Sequence, residues 1–325
     1  MPAIITRGAI SAQGFGFGKS IQSGPPPGAD GTVAIFALGS ICNVASRTRN
    51  KYTYATCAST ATGVGLASIA SQAQSAAGNC SRGIFALGAT ICSCFSTCRN
   101  KYTYATDANA AAACASQGAQ YGAAAGNSTR GIFQLGYAAT SIRNKFTYAS
   151  CASTASGVAS ASGPTNGGTA VGNCTRGIFS LGYTTPGCSI STTRNKYTYA
   201  SCTSTACGVG VASAASTLGA AAGNWTRGIF ALGYAGSGCG VATRNKYTYA
   251  TCISTACGVA SASTFGYGGS AAGNSTRGIF AIGKNTTIRN KYIYASCTST
   301  ACGVGAASSA SRYGAGVSFS PGVNS

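Results

Sequence analysis

The residues of this chain that could do chemistry are its 17 cysteines and its 22 lysines and arginines. Histidine is absent, and Asp30 and Asp107 are the only acidic residues. A His-based triad, a pair of catalytic carboxylates or an oxygen cage for Mg²⁺ or Ca²⁺ cannot be assembled from this set within one subunit. A nucleophilic cysteine would also lack a histidine to activate it. The composition therefore excludes most hydrolytic enzymes, and we expect a protein that is not an enzyme.

Six cysteines form three pairs of equal spacing, namely Cys202 with Cys207, Cys252 with Cys257, and Cys297 with Cys302. Each pair brackets a Thr-Ser-Thr-Ala or Ile-Ser-Thr-Ala segment that we predict to be a turn between two antiparallel strands. Facing positions of such a strand pair lie about 5.5 Å apart, a separation that suits a disulfide. We therefore expect three hairpin disulfides, each stabilising the fold by about 2 to 4 kcal/mol.

The equivalent turns of the first and third copies hold one cysteine each, Cys57 and Cys151, and in the second copy Asp107 takes that place. The remaining cysteines form two groups. Candidates for loop or inter-chain bonds are Cys42, Cys92, Cys94, Cys98, Cys188 and Cys239. A further group comprises Cys80, Cys114 and Cys174. Because 17 is odd, at least one thiol is free or bonded to another chain, which leaves a homo-oligomer open. A zinc site built on Cys92, Cys94 and Cys98 is disfavoured, since paired Cys-x₂-Cys knuckles are missing. We expect no metal and no cofactor.

The basic residues concentrate at two repeated places. Five arginines begin Arg-Gly-Ile-Phe motifs, and six Arg-Asn-Lys triplets supply twelve more basic residues, together 17 of the 22. The arginines could cap backbone carbonyls between repeats while the lysines lie over tyrosine rings, or the triplets could form a surface ring that faces an anion. The candidates for anion or partner binding are Arg49, Lys51, Arg99, Lys101, Arg143, Lys145, Arg194, Lys196, Arg244, Lys246, Arg289 and Lys291. A glycan, a lipid phosphate or an acidic protein ranks above nucleic acid as the anion.

Both motifs recur because the chain repeats one unit six times over residues 32–325. The asparagine of Arg-Asn-Lys stands at positions 50, 100, 144, 195, 245 and 290. Such periods are typical of solenoids and propellers. In the fifth copy, four strands are predicted at 219–222, 228–232, 246–250 and 258–262, and only the alanine-rich stretch 110–115 allows a helix. Residues 312–319 resemble a first strand that the first copy lacks, which predicts that the C-terminus completes that copy.

The strand order and motifs resemble those of the kelch-type repeat, which has four strands per blade. Residues 127–137, Asn-Ser-Thr-Arg-Gly-Ile-Phe through Gly-Tyr, are similar to kelch-like repeats of structural proteins in tailed bacteriophages. The resemblance implies an all-β, six-bladed kelch-like β-propeller closed by its C-terminal strand, with a Gly/Pro-rich N-terminal arm at 1–31. The expected repeats are 32–81, 82–129, 130–175, 176–226, 227–276 and 277–325. The copper site of some kelch-type oxidases is not carried over, because it needs histidine.

The resemblance further implies a non-enzymatic accessory protein of a virion, on the capsid, neck or tail. It would stabilise the particle through disulfides and through contacts of the arm and loops with other virion proteins, and its loops could contact the host surface. The alternative is a glycan-binding adhesin or receptor-binding module for an anionic host glycan. No secretory signal and no apolar run near ~20 residues is present, so we expect no membrane span. Location in a virion, assembled in the host cytoplasm and extracellular after release, follows from these expectations.

Overall fold

The chain folds into β-strands throughout the part that the computed structural model describes, which is residues 31–90, 94–136, 140–184, 189–206, 208–235, 239–256, 258–301 and 303–318. Those residues contain no helix. Apart from Gly31, the predicted N-terminal arm lies outside them. The alanine-rich stretch that allowed a helix is strand as far as Ala112.

The strands are short, and most have two to five residues. In chain order they are β1 (Val33–Ala37), β2 (Ser40–Ile41), β3 (Val44–Ala45), β4 (Arg49–Thr53), β5 (Ala58–Thr60), β6 (Ser71–Gln72), β7 (Ser75–Gly78), β8 (Arg82–Ala86), β9 (Ala89–Thr90), β10 (Arg99–Thr103), β11 (Ala108–Ala112), β12 (Ala123–Gly126), β13 (Arg130–Gln134), β14 (Arg143–Thr147), β15 (Ala152–Thr154), β16 (Ala170–Gly172), β17 (Arg176–Ser180), β18 (Tyr183–Thr184), β19 (Ser189–Ile190), β20 (Arg194–Thr198), β21 (Thr203–Thr205), β22 (Ser216–Thr217), β23 (Ala220–Gly223), β24 (Arg227–Ala235), β25 (Cys239–Thr248), β26 (Ile253–Thr255), β27 (Ser270–Gly273), β28 (Arg277–Ala281), β29 (Arg289–Ile293), β30 (Thr298–Thr300), β31 (Ser311–Arg312) and β32 (Ala315–Ser318).

Six antiparallel sheets of four principal strands each account for most of these strands. From first to fourth strand they are sheet 1 (β32-β1-β4-β5), sheet 2 (β7-β8-β10-β11), sheet 3 (β12-β13-β14-β15), sheet 4 (β16-β17-β20-β21), sheet 5 (β23-β24-β25-β26) and sheet 6 (β27-β28-β29-β30). The remaining short strands lie in the connections, at the end of the sheets where each second strand finishes. They pair with one another or, for β22, with β24. The sheets therefore repeat one topology six times.

The C-terminal segment completes sheet 1, as the sequence predicts. Strand β32 pairs with β1 in the register Ala34↔Ser318, Ile35↔Val317, Phe36↔Gly316 and Ala37↔Ala315. The first strand of this sheet thus comes from the far end of the chain, and the pairing joins the first and last repeats.

The hydrophobic core is divided among the six boundaries between consecutive sheets. At each boundary the isoleucine of one second strand packs against the phenylalanine of the next sheet's second strand and against that sheet's third-strand aromatics. The boundary between sheets 6 and 1 has the same composition, with Ile279 against Phe36 and Tyr52. Period-two alternation explains this, because Ile and Phe are neighbours in the strand and point to opposite faces of the sheet.

Only the fourth of the predicted strands in the fifth copy is wrong. The chain reverses within residues 249–252, where Cys252 has a φ of 57°, and the fourth strand follows at once as Ile253–Thr255. The predicted segment 258–262 is instead a connection whose Ala260 and Ser261 carbonyls accept hydrogen bonds from Arg244. The left-handed residue closes a four-residue hairpin loop, so the strand begins five positions earlier than the sequence pattern suggested.

A ring of backbone hydrogen bonds links the sheets where their first strands begin. Its members all have a positive φ, between 52° and 71°: Ala73, Tyr121, Gly167, Leu218, Gly268 and Tyr313. Each N–H donates to the carbonyl of the preceding member, and Ala73 donates to Tyr313, at 2.6 to 3.0 Å. The series of bonds therefore returns to its starting point.

The glycine that ends each second strand lies against this ring. Gly182 has a φ of 70°, and a Cβ there would stand 2.3 Å from the Asn166 carbonyl oxygen. The recurring Leu-Gly or Ile-Gly of the repeat is thus required by a positive φ and by close packing on a neighbouring backbone.

Candidate functional site

The arginines of the Arg-Asn-Lys triplets are buried, at 0 or 1% exposure. Each crosses to the next sheet, where its guanidinium lies 4.2 to 4.6 Å above a phenylalanine ring and donates to an asparagine Oδ1 at 3.1 to 3.3 Å. These residues are Arg49, Arg99, Arg143, Arg194, Arg244 and Arg289. Of the two alternatives for the triplets, the surface ring is wrong for these arginines, because a guanidinium enclosed between two sheets cannot face an external anion.

Burial lowers the pKa of each of these six arginines to about 10, since the charged form loses hydration. No described carboxylate is bonded to them. Arg244, for example, donates to the Ser299 hydroxyl at 2.7 Å, to Asn290 at 3.1 Å and to two backbone carbonyls. Neutral oxygens and an aromatic face replace the counter-ion, so these arginines hold the sheets together.

We expect Arg244→Ala to lower the free energy of unfolding by about 3 to 5 kcal/mol, because it opens a cavity and leaves buried acceptors unpaired. The matched control is Arg227→Ala in the same sheet, which removes a half-buried guanidinium and should cost about 1 kcal/mol. Urea unfolding followed by tyrosine fluorescence measures both. Equal losses in the two variants would show that burial of the triplet arginine is not what matters.

The arginines of Arg-Gly-Ile-Phe lie at the opposite ends of the strands and are half-buried. Each Nη1 donates to a tyrosine carbonyl in the turn between the third and fourth strands of the next sheet, at 2.9 to 3.3 Å. The residues are Arg82, Arg130, Arg176, Arg227 and Arg277. The prediction that this set caps backbone carbonyls between repeats is confirmed.

In sheet 1 the lysine of the triplet reaches the same end as these arginines. Lys51 of sheet 1 places its Nζ 2.7 Å from Asp107 Oδ2, in the corresponding turn of sheet 2. The other five, Lys101, Lys145, Lys196, Lys246 and Lys291, occupy the equivalent strand position and are also half-buried. We call these six lysines and the five arginines the basic face. Asp107 is the only acidic residue among the residues that the structure describes.

Sequence reasoning missed part of this face. It selected the triplet arginines, which are buried, and treated the Arg-Gly-Ile-Phe arginines only as structural caps. One sequence signal bears on this face. The arginine and the lysine of each Arg-Asn-Lys triplet lie two positions apart in a strand, so their side chains point to the same side of the sheet. The pattern does not say which of the two reaches the sheet edge.

The predicted hairpin disulfides required a turn between the two cysteines of each pair, and the structure does not have that turn. The segment Thr203–Thr205 is a strand and not a turn, and three extended residues advance about 10 Å, beyond the Cα separation of a disulfide. Cys202, Cys252 and Cys297 are free thiols. Their proposed partners Cys207, Cys257 and Cys302 lie outside the described residues.

The loop cysteines show no bonds to one another where they are described. Cys42 and Cys94 are exposed thiols and Cys98 is half-buried, while Cys92 and Cys188 lie outside the described residues. Cys239 begins strand β25. Cys80 and Cys114 are exposed, and Cys174 is half-buried. The described residues contain no group of three or more potential metal ligands.

The space between the six first strands is lined by few side chains that could bind a ligand or react. Residues of all six first strands and the positions just before them line two cavities. Their linings consist of Gly, Ala, Ser, Thr and Val with the single amide Gln74. No titratable side chain lines either cavity.

No family model and no curated protein matches this chain. No helix among the described residues is long and apolar enough to cross a membrane. The arguments that follow therefore rest on the geometry of the sheets and of the basic face.

Proposed function

We propose that the six sheets are the blades of a closed, six-bladed, kelch-like β-propeller. The returning ring of backbone hydrogen bonds supports this, as do the Ile279, Phe36 and Tyr52 packing and the bond from Arg289 to Asn50 between the last and first sheets. Cavities lined by all six first strands agree with a central axis. Closure matters for function because it fixes the positions of the repeated basic residues relative to one another.

We further propose that the protein is a non-enzymatic structural component of a phage-like particle, which binds an acidic protein surface through its basic face. The observation that carries this proposal is the collection of five arginines and six lysines at one end of the sheets with Asp107 as the single described carboxylate. The particle itself is suggested only by the resemblance of the repeats to phage proteins.

The basic residues are arranged so that they can serve as a preformed surface. The Nη1 bonds to turn carbonyls hold the arginines in place, so little side-chain entropy is lost on binding. Charges repeated at one end of the structure add their fields and attract an acidic partner most strongly at low salt. This arrangement would not strengthen binding to an uncharged or a basic surface.

The test uses immobilised poly-glutamate as an acidic probe. The triple variant Lys145→Ser, Lys196→Ser, Lys246→Ser should bind about 10-fold more weakly at low salt, since each lost exposed contact is worth about 0.5 kcal/mol. The control variant Arg47→Ser, Lys284→Ser, Arg312→Ser changes the net charge equally at the other end of the sheets. It should bind as the unaltered protein does.

Equal weakening in both triple variants would mean that net charge alone drives binding, and the basic face would lose its role. Placement in a particle is tested separately, by mass spectrometry of intact purified particles. A stoichiometric copy number supports the structural role, and absence from the particles contradicts it.

A second candidate function is glycan binding at the opposite end. There the rings of Tyr121 and Tyr267 lie 5.4 and 6.5 Å from that of Tyr313, over which Arg312 is placed at 4.8 Å. Half-buried tyrosines beside a guanidinium suit a sugar ring that carries an acidic group. Binding to a glycan array that is lost in Tyr313→Ala but retained in the lysine triple variant would favour this function.

A further inference from the structure

One turn position in every sheet carries either a thiol or a carboxylate. It is the last residue of the loop between the third and fourth strands, and its φ lies between 53° and 57°. The residue is Asp107 in sheet 2 and cysteine in the other five: Cys57, Cys151, Cys202, Cys252 and Cys297. A left-handed position usually takes glycine, asparagine or aspartate, so the backbone does not explain the cysteines.

Sheet 2 shows what a negative group does at this position. The two carboxylate oxygens of Asp107 accept one hydrogen bond each, from Lys51 Nζ of sheet 1 and from Tyr102 Oη of its own sheet, both at 2.7 Å. Where the neighbouring sheet would supply an Arg-Gly-Ile-Phe arginine, sheet 1 has Val33. At this end of the boundary one cation therefore faces one anion, while the buried Arg49 lies at the other end.

Four of the cysteines face an arginine. The Nη1 atoms of Arg82, Arg130, Arg176 and Arg227 lie 3.6, 3.7, 3.8 and 3.8 Å from the sulfur atoms of Cys151, Cys202, Cys252 and Cys297, in that order. The lysines at the strand position of Lys51 belong to the same boundaries. At this end each of these boundaries thus has an arginine beside a thiol and a lysine at the strand position of Lys51, and it lacks the carboxylate that sheet 2 provides.

A tyrosine hydroxyl also lies beside three of these thiols. Burial raises the pKa of Tyr197, Tyr247 and Tyr292, and the nearby thiols of Cys202, Cys252 and Cys297 raise it further. Among the described residues these three buried hydroxyls have no hydrogen-bond partner, since each thiol donates to a backbone carbonyl. Each of these hydroxyls is equivalent to that of Tyr102, which binds Asp107. Beside Cys151 the position holds Phe146, which has no hydroxyl.

We propose that the turn cysteines are sites of oxidation by peroxide, and that the product sulfinate takes the place that the Asp107 carboxylate has in sheet 2. In the first step R–SH and H₂O₂ give R–SOH and H₂O. In the second, R–SOH and H₂O₂ give R–SO₂H and H₂O. Sulfur loses two electrons in each step and an O–O bond of peroxide is cleaved. The sulfinic acid releases its proton to solvent.

The surrounding charges favour this reaction. Negative charge that develops on the sulfur and its oxygens is stabilised by the guanidinium and the lysine, and the tyrosine O–H can donate to a sulfinate oxygen as Tyr102 donates to Asp107. At this end, each modified boundary would gain one anion that opposes its arginine and its lysine. Oxidation would therefore bind adjacent sheets more firmly and reduce the basic charge of this end.

The five turn cysteines differ in the groups that lie beside them, so their oxidation rates can be compared within one molecule. Cys202, Cys252 and Cys297 have both the arginine and the tyrosine, and Cys151 has the arginine but a phenylalanine. Burial and the nearby Cys57 thiol raise the pKa of Tyr52, and the arginine of this boundary, Arg277, donates a hydrogen bond to the Tyr54 carbonyl. The expected order of oxidation places the first three cysteines ahead of Cys151 and Cys57.

The experiment treats the whole protein with hydrogen peroxide and follows each cysteine-containing peptide by mass spectrometry. We expect dioxidation of Cys202, Cys252 and Cys297 to be roughly 10-fold faster than that of the exposed thiols Cys42, Cys80 and Cys114, which serve as internal controls. Faster reaction of the exposed thiols would mean that exposure alone governs oxidation, and would overturn the proposal.

A variant separates the role of the arginine from that of the fold. Arg130→Gln should slow the oxidation of Cys202 to the rate of the exposed thiols while Cys252 and Cys297 keep theirs. An unchanged Cys202 rate would overturn the proposal. As a second measurement, Cys202→Asp should raise the melting temperature by about 2 °C relative to Cys202→Ser, because the carboxylate imitates the sulfinate. A lower melting temperature for the aspartate variant would contradict the stabilising role.

Discussion

A chain that ends at Arg312 is expected to lose its cooperative unfolding transition. It lacks strand β32, so four residues of β1 lose their pairing partners and the buried side chains of Ala315 and Val317 leave the boundary with sheet 2. The hydrogen-bonded ring is opened as well, because Tyr313 both donates to Gly268 and accepts from Ala73. Of the strands that join the last repeat to the first, only the two residues of β31 paired with β2 then remain.

The expected loss is at least about 5 kcal/mol, from unpaired buried backbone groups at about 1 kcal/mol each and from the lost burial of Val317 at about 2 kcal/mol. A loss of that size is comparable with the whole stability of many domains. Thermal unfolding by circular dichroism measures it. The matched control ends at Ser318 and keeps the whole strand, and it should melt as the full chain does.

Addition of a peptide with the sequence of residues 313–325 offers a further check on the shortened chain. It should restore part of the transition, because the vacant position beside β1 accepts one antiparallel strand. A shortened chain that melts cooperatively at the original temperature would show that the C-terminal strand is not needed to join the ends.

The second large effect expected is a stability that hardly changes in acid and collapses in alkali. Acid unfolding comes mainly from protonation of carboxylates and of buried neutral histidines. This chain has two carboxylate side chains and no histidine, and only Asp107 makes a described ion pair. The melting temperature at about pH 2.5 should therefore lie within a few degrees of that at about pH 7, since a half-exposed pair is worth about 1 kcal/mol or less.

Alkali acts through buried tyrosines. Burial raises the pKa of ten of them, in the third strands and the turns that follow: Tyr52, Tyr102, Tyr104, Tyr148, Tyr197, Tyr199, Tyr247, Tyr249, Tyr292 and Tyr294. Above about pH 10 the unfolded chain releases these protons while the folded chain keeps them, so stability falls as the pH rises.

The buried arginines oppose this trend. Their pKa of about 10 means that the folded chain loses these protons before the unfolded chain does, which adds stability between about pH 10 and 12.5. Ten tyrosines outnumber six arginines, and each proton of difference changes stability by about 1.4 kcal/mol per pH unit. Unfolding is therefore expected within one to two units above pH 10. Simultaneous loss of β-structure and appearance of tyrosinate absorbance would demonstrate it, whereas gradual tyrosinate formation in a folded chain would contradict it.

The repeated strands were accessible from the sequence because local signals specify them. Lys-Tyr-Thr-Tyr alternates with period two, Arg-Gly-Ile-Phe contains a short apolar run, and glycine or asparagine marks the ends of both. The pairing of the C-terminal segment with β1 was accessible for a similar reason, since the first repeat lacks one strand that the last repeat has in excess. Gly-Asn-x-Ser/Thr is likewise a local turn signal. In the structure Asn127 Oδ1 accepts from the backbone N–H groups of Thr129 and Arg130, and its Nδ2 donates to the next sheet.

The fourth strand and the disulfides could not be located in this way. A cysteine in a left-handed conformation is an unusual loop residue, so Cys252 gave no signal that the chain turns before Ile253. The spacing of Cys252 and Cys257 then suggested a hairpin that the chain does not form.

The sequence by itself determined the sixfold repeat, the order of the strands and the excess of positive charge, because these depend on composition and on neighbours within a few residues. Only the tertiary structure determined whether each basic side chain is buried between sheets or reaches their edge. Arg194 and Lys196 point to the same side of one strand, yet the first is enclosed between two sheets and the second reaches their edge. That difference depends on where along the strand the next sheet makes contact, and the contact joins residues about 50 positions apart, such as Arg194 and Asn245.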